Sequence, residues 1–306
     1  MTNKAAAAGL NLGGGKAVII GDPKKDKSEA LFRAFGKCVN SLGGRYITAE
    51  DVGTDVNDME YVYMETPYVT GIHSDHGGSG DPSPFTAYGT LQGMRAAVEK
   101  QFGTDLKGRS VSVQGLGHVG MELARLLKRE GAKVIATDID AESCQRAKDE
   151  AGVDEIVKPE EIYDVAVDVF APCALGAVVN DRTVETLKCK VIAGAANNQL
   201  EDSDRHCEVL EKRGILYTPD YVINAGGLIN VYLEIKGYNV KQARRLCRGI
   251  YYNCMKIFKI AAEKEITSHH AAEHMVSRRM NSLAGLSTHF NTYGASKGRA
   301  DIRAGR

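Results

Sequence analysis

The chain has no excess of charge of either sign: 39 lysines and arginines balance 39 aspartates and glutamates among 306 residues. Nothing global therefore draws it toward nucleic acid or an anionic membrane surface. Long hydrophobic runs are also missing. The longest apolar stretches, such as Ala17-Val18-Ile19-Ile20, fall far short of the roughly 20 residues that span a bilayer. The N-terminus lacks the apolar core of a secretory leader. It carries one lysine, Lys4, and an Ala-rich stretch interrupted by Asn11, and reads as mature protein. The seven cysteines (Cys38, Cys144, Cys173, Cys189, Cys207, Cys247 and Cys254) contain no C-x-x-C pair. Their scatter and odd number fit reduced thiols in the cytoplasm and argue against a disulfide or zinc framework. No acidic motif accompanies His269, His270 and His274, so no metal is expected there. What remains, with 43% hydrophobic and 25% charged residues, is an ordinary globular composition, long enough for two domains.

The order of elements gives the fold class. Ala17–Ile20 is uninterrupted rather than alternating and reads as a short buried strand ended by Gly21-Asp22-Pro23. Residues 27–41 carry Leu31, Phe32, Ala34, Phe35 and Cys38 at helical spacing, and Gly43-Gly44 stops them. Arg45–Thr48 reads as a strand delivering Glu50 and Asp51 at its end. A short helix is expected over 55–65. The run Gly77–Pro84 has the composition of a linker or hinge, with Asp81 or Ser83 placed to cap a helix over about 84–103. From about 108, strands and helices alternate: Ser110–Val113, a glycine turn, a helix through Arg129, then Lys133–Thr137. Apolar runs at Val165–Phe170 and Val191–Ala195 add further central strands. That rhythm predicts an α/β fold with a doubly wound, Rossmann-type parallel sheet covered by helices on both faces. Residues 226–285 read as mostly helical, and the polar, basic tail 286–306 as disordered. The division expected is a substrate domain over 1–82, a nucleotide-binding domain over 83–265 and a helix over 266–285 returning to the first.

Two constellations carry chemistry. Gly13-Gly14-Gly15-Lys16 removes three side chains, so that backbone and a small ligand can approach closely. A lysine against such a bare surface, near the second ammonium of Lys4, has its charged form disfavoured, and its pKa falls from about 10.4 toward neutrality. A neutral amine can then act as a general base. Taken alone, the four residues suit a solvated surface loop equally well. Gly115-Leu116-Gly117-His118-Val119-Gly120 matches G-x-G-x-x-G between a predicted strand and a predicted helix, and Asp138 ends the next strand. In that setting the glycines admit a pyrophosphate at the helix N-terminus. Asp138 is placed to take the adenine-ribose hydroxyls and to repel a 2′-phosphate, which favours NAD over NADP. His118 reads as a solvent-facing residue whose backbone, with that of Val119, lines the phosphates. Cys173 reads as a packed small hydrophobe, and Lys241, Arg244, Arg245 and Arg248 as a wet or subunit-facing helix surface.

Both constellations occur in a longer ordered set. It comprises Met1–Lys4, Gly13–Lys16, Thr48–Thr54, Ser83–Gly89, Gly115–Gly120, Ala193–Leu200 and Pro219–Gly227. Together these segments resemble the amino acid dehydrogenases of the glutamate/leucine/phenylalanine/valine family, nearest to its leucine dehydrogenases, from Met1 to about residue 280. The resemblance implies roles by position. Lys4 holds the substrate α-carboxylate, Lys16 is the catalytic base, and Asp51 exchanges protons with the amino group. Asn197 and Asn224 orient amino group and nicotinamide, and Thr86 contacts the carboxamide. Ala49, Leu228 and Val231 line an apolar side-chain pocket, where an unpaired carboxylate would be costly. The implied activity is NAD-dependent, reversible oxidative deamination of an apolar L-amino acid, leucine-, valine- or isoleucine-like, to a 2-oxo acid and ammonia, in a homo-oligomer. Hydride leaves Cα, neutral Lys16 activates water toward the iminium carbon, and Asp51 protonates the departing amine. Phenylalanine or tryptophan dehydrogenase stays open, since one methylene discriminates by only about 1–3 kcal/mol. Family members carry several dozen residues before the Met-Thr-x-Lys stretch. On that ground the substrate domain is expected to be incomplete, to expose apolar surface, and to give poor solubility or weak activity. A non-catalytic NAD-binding homologue is the other reading.

Overall fold

A computed structural model describes residues 1–284. The expected disordered tail lies outside the described residues. In chain order the elements are α1 (Thr2–Ala7), α2 (Glu29–Ser41), β1 (Thr48–Ala49), α3 (Val56–Tyr63), β2 (Val69–Thr70) and α4 (Ser83–Phe102). Then come β3 (Ser110–Gln114), α5 (His118–Arg129), β4 (Lys133–Thr137), α6 (Ala141–Ala151), β5 (Glu155–Ile156) and β6 (Val169–Pro172). They are followed by α7 (Thr183–Thr186), β7 (Val191–Ile192), α8 (Ser203–Lys212), β8 (Leu216–Tyr217), α9 (Asp220–Ile223), α10 (Gly226–Glu234), α11 (Val240–Lys264) and α12 (Ser268–Ala284).

The larger sheet is parallel throughout, in the order β5-β4-β3-β6-β7-β8. Its strand residues alternate between two apolar clusters. Val134 and Ala136, Val169 and Ala171, and Val191 and Ala193 face one; Ile135, Phe170 and Ile192 face the other. Successive side chains of a strand point to opposite faces, so both faces are buried, and this is why these strands read as continuous apolar runs. The order reverses between β3 and β6. Crevices at such switch points, beyond the carboxyl ends of the strands, are where doubly wound sheets take ligands.

The smaller sheet pairs only β1 with β2, in parallel, Thr48 opposite Val69. Phe32, Met59, Val62, Val69 and Ile72 form its core under α2 and α3. Local capping fixes both helices. Ser28 Oγ accepts from Leu31 N–H at the start of α2, and Asp55 and Asp58 form a reciprocal capping box at α3, tied together by Lys27. Helix α1 goes elsewhere: Ala5, Ala6, Ala7 and Leu10 enter the larger core, where α1 packs on α9 and α12.

One expected element is overturned. Ala17–Ile20 is neither a strand nor buried: Val18 is 83% exposed and Ile20 98%. A strand needs a neighbour to take its ladder hydrogen bonds. β1 and β2 take each other's, and no described strand runs beside residues 17–20. No helix among the described residues is long and apolar enough to cross a membrane.

Candidate active site

The turn after β3 is built around absent side chains. Gly115 has φ 97°, and a Cβ on Gly120 would lie 1.9 Å from the Gly115 carbonyl oxygen. The first turn of α5 can therefore approach the end of β3 only with glycine at position 120. A Cβ on Gly117 would meet nothing within 4 Å. Gly117 is also the N-cap of α5 and offers no side chain to its free N–H groups, which leaves a cradle suited to an anion. Asp138 holds the turn from outside, its Oδ2 accepting from Leu116 N–H at 2.6 Å. A groove beside it is lined by Ile139, Cys144, Ile156 and Val157, with Lys148 and Lys158 also on its wall. Val119 packs against the core. His118 is 77% exposed at its side chain, as the sequence suggests, 3.9 Å from Asp81. A Gly120→Ala substitution is expected to weaken nucleotide binding by about tenfold or more, because an overpacked backbone contact costs about 1–3 kcal/mol. Titration of the variant with reduced nucleotide, followed by fluorescence, checks this.

Beyond the carboxyl ends of β6 and β7, three polar side chains join in a relay. Lys4 Nζ donates to Asn197 Oδ1 at 2.9 Å, and Asn224 Nδ2 donates to the same oxygen at 2.8 Å. Asn224 Nδ2 also reaches the Ala195 carbonyl at 3.0 Å, while its Oδ1 is buried without a protein partner. A buried amide oxygen left open in this way invites a donor from a ligand. Burial lowers Lys4 to about 8, against the raising effect of Asp220; the charge of Lys16 lowers it further. Asp220 opens α9 and Asn224 caps it, four residues on, so the two share a face.

Lys16 reaches this place through its glycines. A Cβ on Gly14 would lie 2.1 Å from Thr2 N, and one on Gly15 would lie 3.3 Å from the Tyr46 ring. The loop thus threads between α1 and the chain entering β1, and Lys16 Nζ forms an ion pair with Asp51 Oδ2. Asp51 is fixed by its own turn. Its N–H donates to Thr54 Oγ1 at 2.9 Å, and its Oδ1 accepts from Val52 N–H at 2.8 Å. Lys16 and Asp51 are each about half exposed. The pKa of Lys16 is lowered, as the sequence suggests, and the cause is burial. The influence between the two ammonium groups is felt at Lys4, the deeper of the pair, rather than at Lys16 as expected.

Val231 is buried and Leu228 half-buried on α10, which packs against β2, the partner of the strand bearing Ala49. Thr86, in the first turn of α4, abuts the start of α10: a Cβ on Gly227 would lie 2.6 Å from its Oγ1.

Three acids escaped the sequence reading. Asp220 influences Lys4. Glu50 is pushed up to about 7, by burial first and then by Asp81, Asp55 and Asp58, with Lys27 opposing. Glu234 is 2% exposed at the end of α10. The available signal was a carboxylate beside Asp51 in one case, and acids inside otherwise apolar motifs in the other two. Cys173 is no poised nucleophile, since burial pushes its thiol up to about 12. The side chain of His269 is only 13% exposed, and His270 bonds to Thr267 and Asp204.

Away from this centre, Asp181, Glu201 and His206 bring three potential ligand atoms together. His206 Nδ1 accepts from Asp202 N–H at 3.0 Å. A neutral imidazole then carries its proton on Nε2 and donates to Asp181 instead of ligating a cation. Arg205 lies 2.8 Å from the same Asp181 oxygen.

Comparison with known proteins agrees with the geometry. Residues 1–68 match the Glu/Leu/Phe/Val dehydrogenase dimerisation domain. Residues 77–144 and 137–279 match Glutamate/Leucine/Phenylalanine/Valine dehydrogenase. The chain is 57% identical over 284 residues to leucine dehydrogenase of Thermoactinomyces intermedius, covering 92% of this chain and 77% of that one. L-tryptophan dehydrogenase from Nostoc punctiforme superposes with a TM-score of 0.76 at 44% identity, over 92% of this chain and 80% of that one. Hetero-hexameric glutamate dehydrogenase from Thermus thermophilus gives a TM-score of 0.79 at 25% identity, over 94% and 76%. The chain belongs to the glutamate/leucine/phenylalanine/valine dehydrogenase family and is an amino acid dehydrogenase.

Proposed function

We propose that the protein catalyses the NAD-dependent, reversible oxidative deamination of a branched aliphatic L-amino acid to its 2-oxo acid and ammonia. The observation that carries this reading is the Lys4–Asn197–Asn224 relay together with the Lys16–Asp51 pair, whose lysine charge is felt at Lys4. Lys4, as an ammonium, holds the α-carboxylate as a point charge, and that carboxylate offsets the burial that depresses it. The Asn197 amide and the open Oδ1 of Asn224 orient the amino group and the nicotinamide, with Thr86 at the carboxamide. The bound nicotinamide supplies a hydride acceptor for the substrate Cα. Lys16, as the free amine, takes a proton from the water that attacks the iminium carbon. Asp51 passes a proton to the nitrogen as ammonia leaves. Their direct contact lets the proton that Lys16 gains pass to Asp51 and on to the leaving nitrogen.

Ala49, Leu228 and Val231 supply no charge to meet an acidic side chain, which disfavours glutamate. Identity of 57% to a leucine dehydrogenase, against 44% to a tryptophan dehydrogenase, supports an aliphatic over an aromatic substrate. In the division by role, residues 1–82 bring Lys4, Lys16 and Asp51 to the amino acid, and 83–265 hold the nucleotide and lend Asn197, Leu228 and Val231 to the amino acid. Within 266–285, α12 braces the helix that carries Lys4. A homo-oligomer is supported by the dimerisation-domain match of residues 1–68. The free cysteines support a cytoplasmic setting.

Asp138 bears on cofactor choice. Both its oxygens accept backbone N–H groups, from Leu116 and Asp140, which an asparagine amide could only half reproduce. The Asp138→Asn variant is expected to lower the NAD-over-NADP preference by about tenfold, or about 1.4 kcal/mol, in kcat/KM with each nucleotide. The reading as a whole is tested by following absorbance of reduced NAD with a panel of L-amino acids. Branched aliphatic substrates turning over fastest would support it; turnover of glutamate alone, or none with any amino acid, would refute it.

A further inference from the structure

The proposed chemistry needs groups from both sheets at a fixed separation, and one side chain spans the junction. Glu234 Oε1 accepts from the backbone N–H of Gly71 at 2.8 Å and from the hydroxyl of Ser79. A carboxylate taken out of water is tolerated only where donors meet it. These two donors stand at the two ends of segment 71–79, the path by which the chain leaves β2 on its way to α4. The segment is also closed on itself, Gly80 N–H donating to the Ile72 carbonyl at 3.0 Å.

From there the contacts lead to the reacting groups. Gly71 follows β2 with φ 78°, and a Cβ on it would lie 3.3 Å from Glu50 Cβ. β2 pairs with β1, and β1 runs into Glu50 and Asp51. On α10, Glu234 follows Val231 at i+3 spacing, so the two side chains are neighbours. One carboxylate thus stands a single turn from the pocket wall and one strand pairing from the Asp51 turn.

We infer that Glu234 is a positioning residue for deamination: its carboxylate pins the crossing between the two sheets and so sets the distance of Asp51 and Lys16 from the pocket face of α10. It touches neither substrate nor cofactor. The inference rests on the roles proposed for Lys16 and Asp51.

The test compares Glu234→Ala, Glu234→Gln and Ser79→Ala in the full chain. In Glu234→Ala, kcat with L-leucine is expected to fall by about tenfold or more, since displacement of reacting groups by about 1 Å can cost 100-fold. Affinity for reduced NAD, read by fluorescence, stays within about twofold, because the glycine turn is held by the Gly115–Gly120 approach and by Asp138 rather than by segment 71–79. Glutamine keeps an acceptor oxygen at the same reach and recovers most of the lost kcat. Hydrogen exchange of the backbone around Gly71 and around Glu50–Thr54 accelerates in the alanine variant and much less in the glutamine variant. A folded Glu234→Ala protein with parental kcat, or with unchanged exchange at Gly71, overturns the inference. Should Glu234→Ala fail to fold, Ser79→Ala decides: it removes one donor from the surface side, and parental kcat together with unchanged exchange over 71–79 is the overturning result. The exchange measurement is independent of which group is the base. A fully active Lys16→Ala would therefore sink the proposed mechanism while leaving the pin intact.

Discussion

Alanine at position 16 is expected to lower kcat for deamination by about 10²- to 10⁴-fold, the range over which a positioned acid–base group contributes. KM for the amino acid is expected to change little, because carboxylate binding is assigned to Lys4. The loop before Lys16 is seated by the close approach of Gly14 to α1 and of Gly15 to the Tyr46 ring, so truncating the Lys16 side chain leaves the loop in place. Its lowered pKa gives the sign of the pH dependence. The free amine is the active form, so deamination rises with pH through the Lys16 titration, and the variant loses that rising limb. Stopped-flow formation of reduced NAD, measured across pH for parent and variant, checks both points. Parental turnover in Lys16→Ala would refute the assignment.

The second large effect belongs to Lys4→Met. Methionine keeps most of the side-chain length and removes the charge. Deleting one partner of a buried, hydrogen-bonded charge pair costs at least about 2 kcal/mol, or about 30-fold in kcat/KM. The loss is expected in KM more than in kcat. Lys4 itself titrates near 8 in the free protein, lowered first by burial. It is charged below that pH and neutral above it. Affinity for a branched aliphatic carboxylate without an amino group is therefore expected to hold below pH 8 and to weaken by about tenfold per pH unit above it. Using a ligand without an amine removes the substrate's own titration from the result. Calorimetric titrations at several pH values check it, and an affinity that stays constant across the Lys4 titration would exclude Lys4 as the anchor.

The doubly wound sheet was legible because its strands are short, apolar and spaced by amphipathic helices. Val134–Ala136 and Val191–Ala193 carry their burial on both faces in plain view. Residues 17–20 are the counter-example. The same apolar texture yields no strand, because texture reports a preference and pairing supplies the hydrogen bonds. At the site, Lys16 and Asp51 could be named from their motifs, and the structure joins them. Which lysine burial depresses more could not be read from sequence, because it depends on how α1, α9 and the 13–15 loop enclose each amine. Glu50 and Glu234 were missed for a related reason. Their significance lies in partners such as Asp81 and Gly71, which are brought near only by tertiary packing.

Lys4, the proposed carboxylate anchor, lies on a helix braced by α12, and Arg279 of α12 donates to Asn11 at 2.9 Å across 268 residues of chain. Contacts between such distant parts close late, after their entropic cost has been met by earlier structure. A refolding chain would therefore acquire its nucleotide cradle, made from neighbouring stretches around residues 110–140, before it could grip an amino acid. During refolding, competence for the coenzyme should precede competence for the fuel.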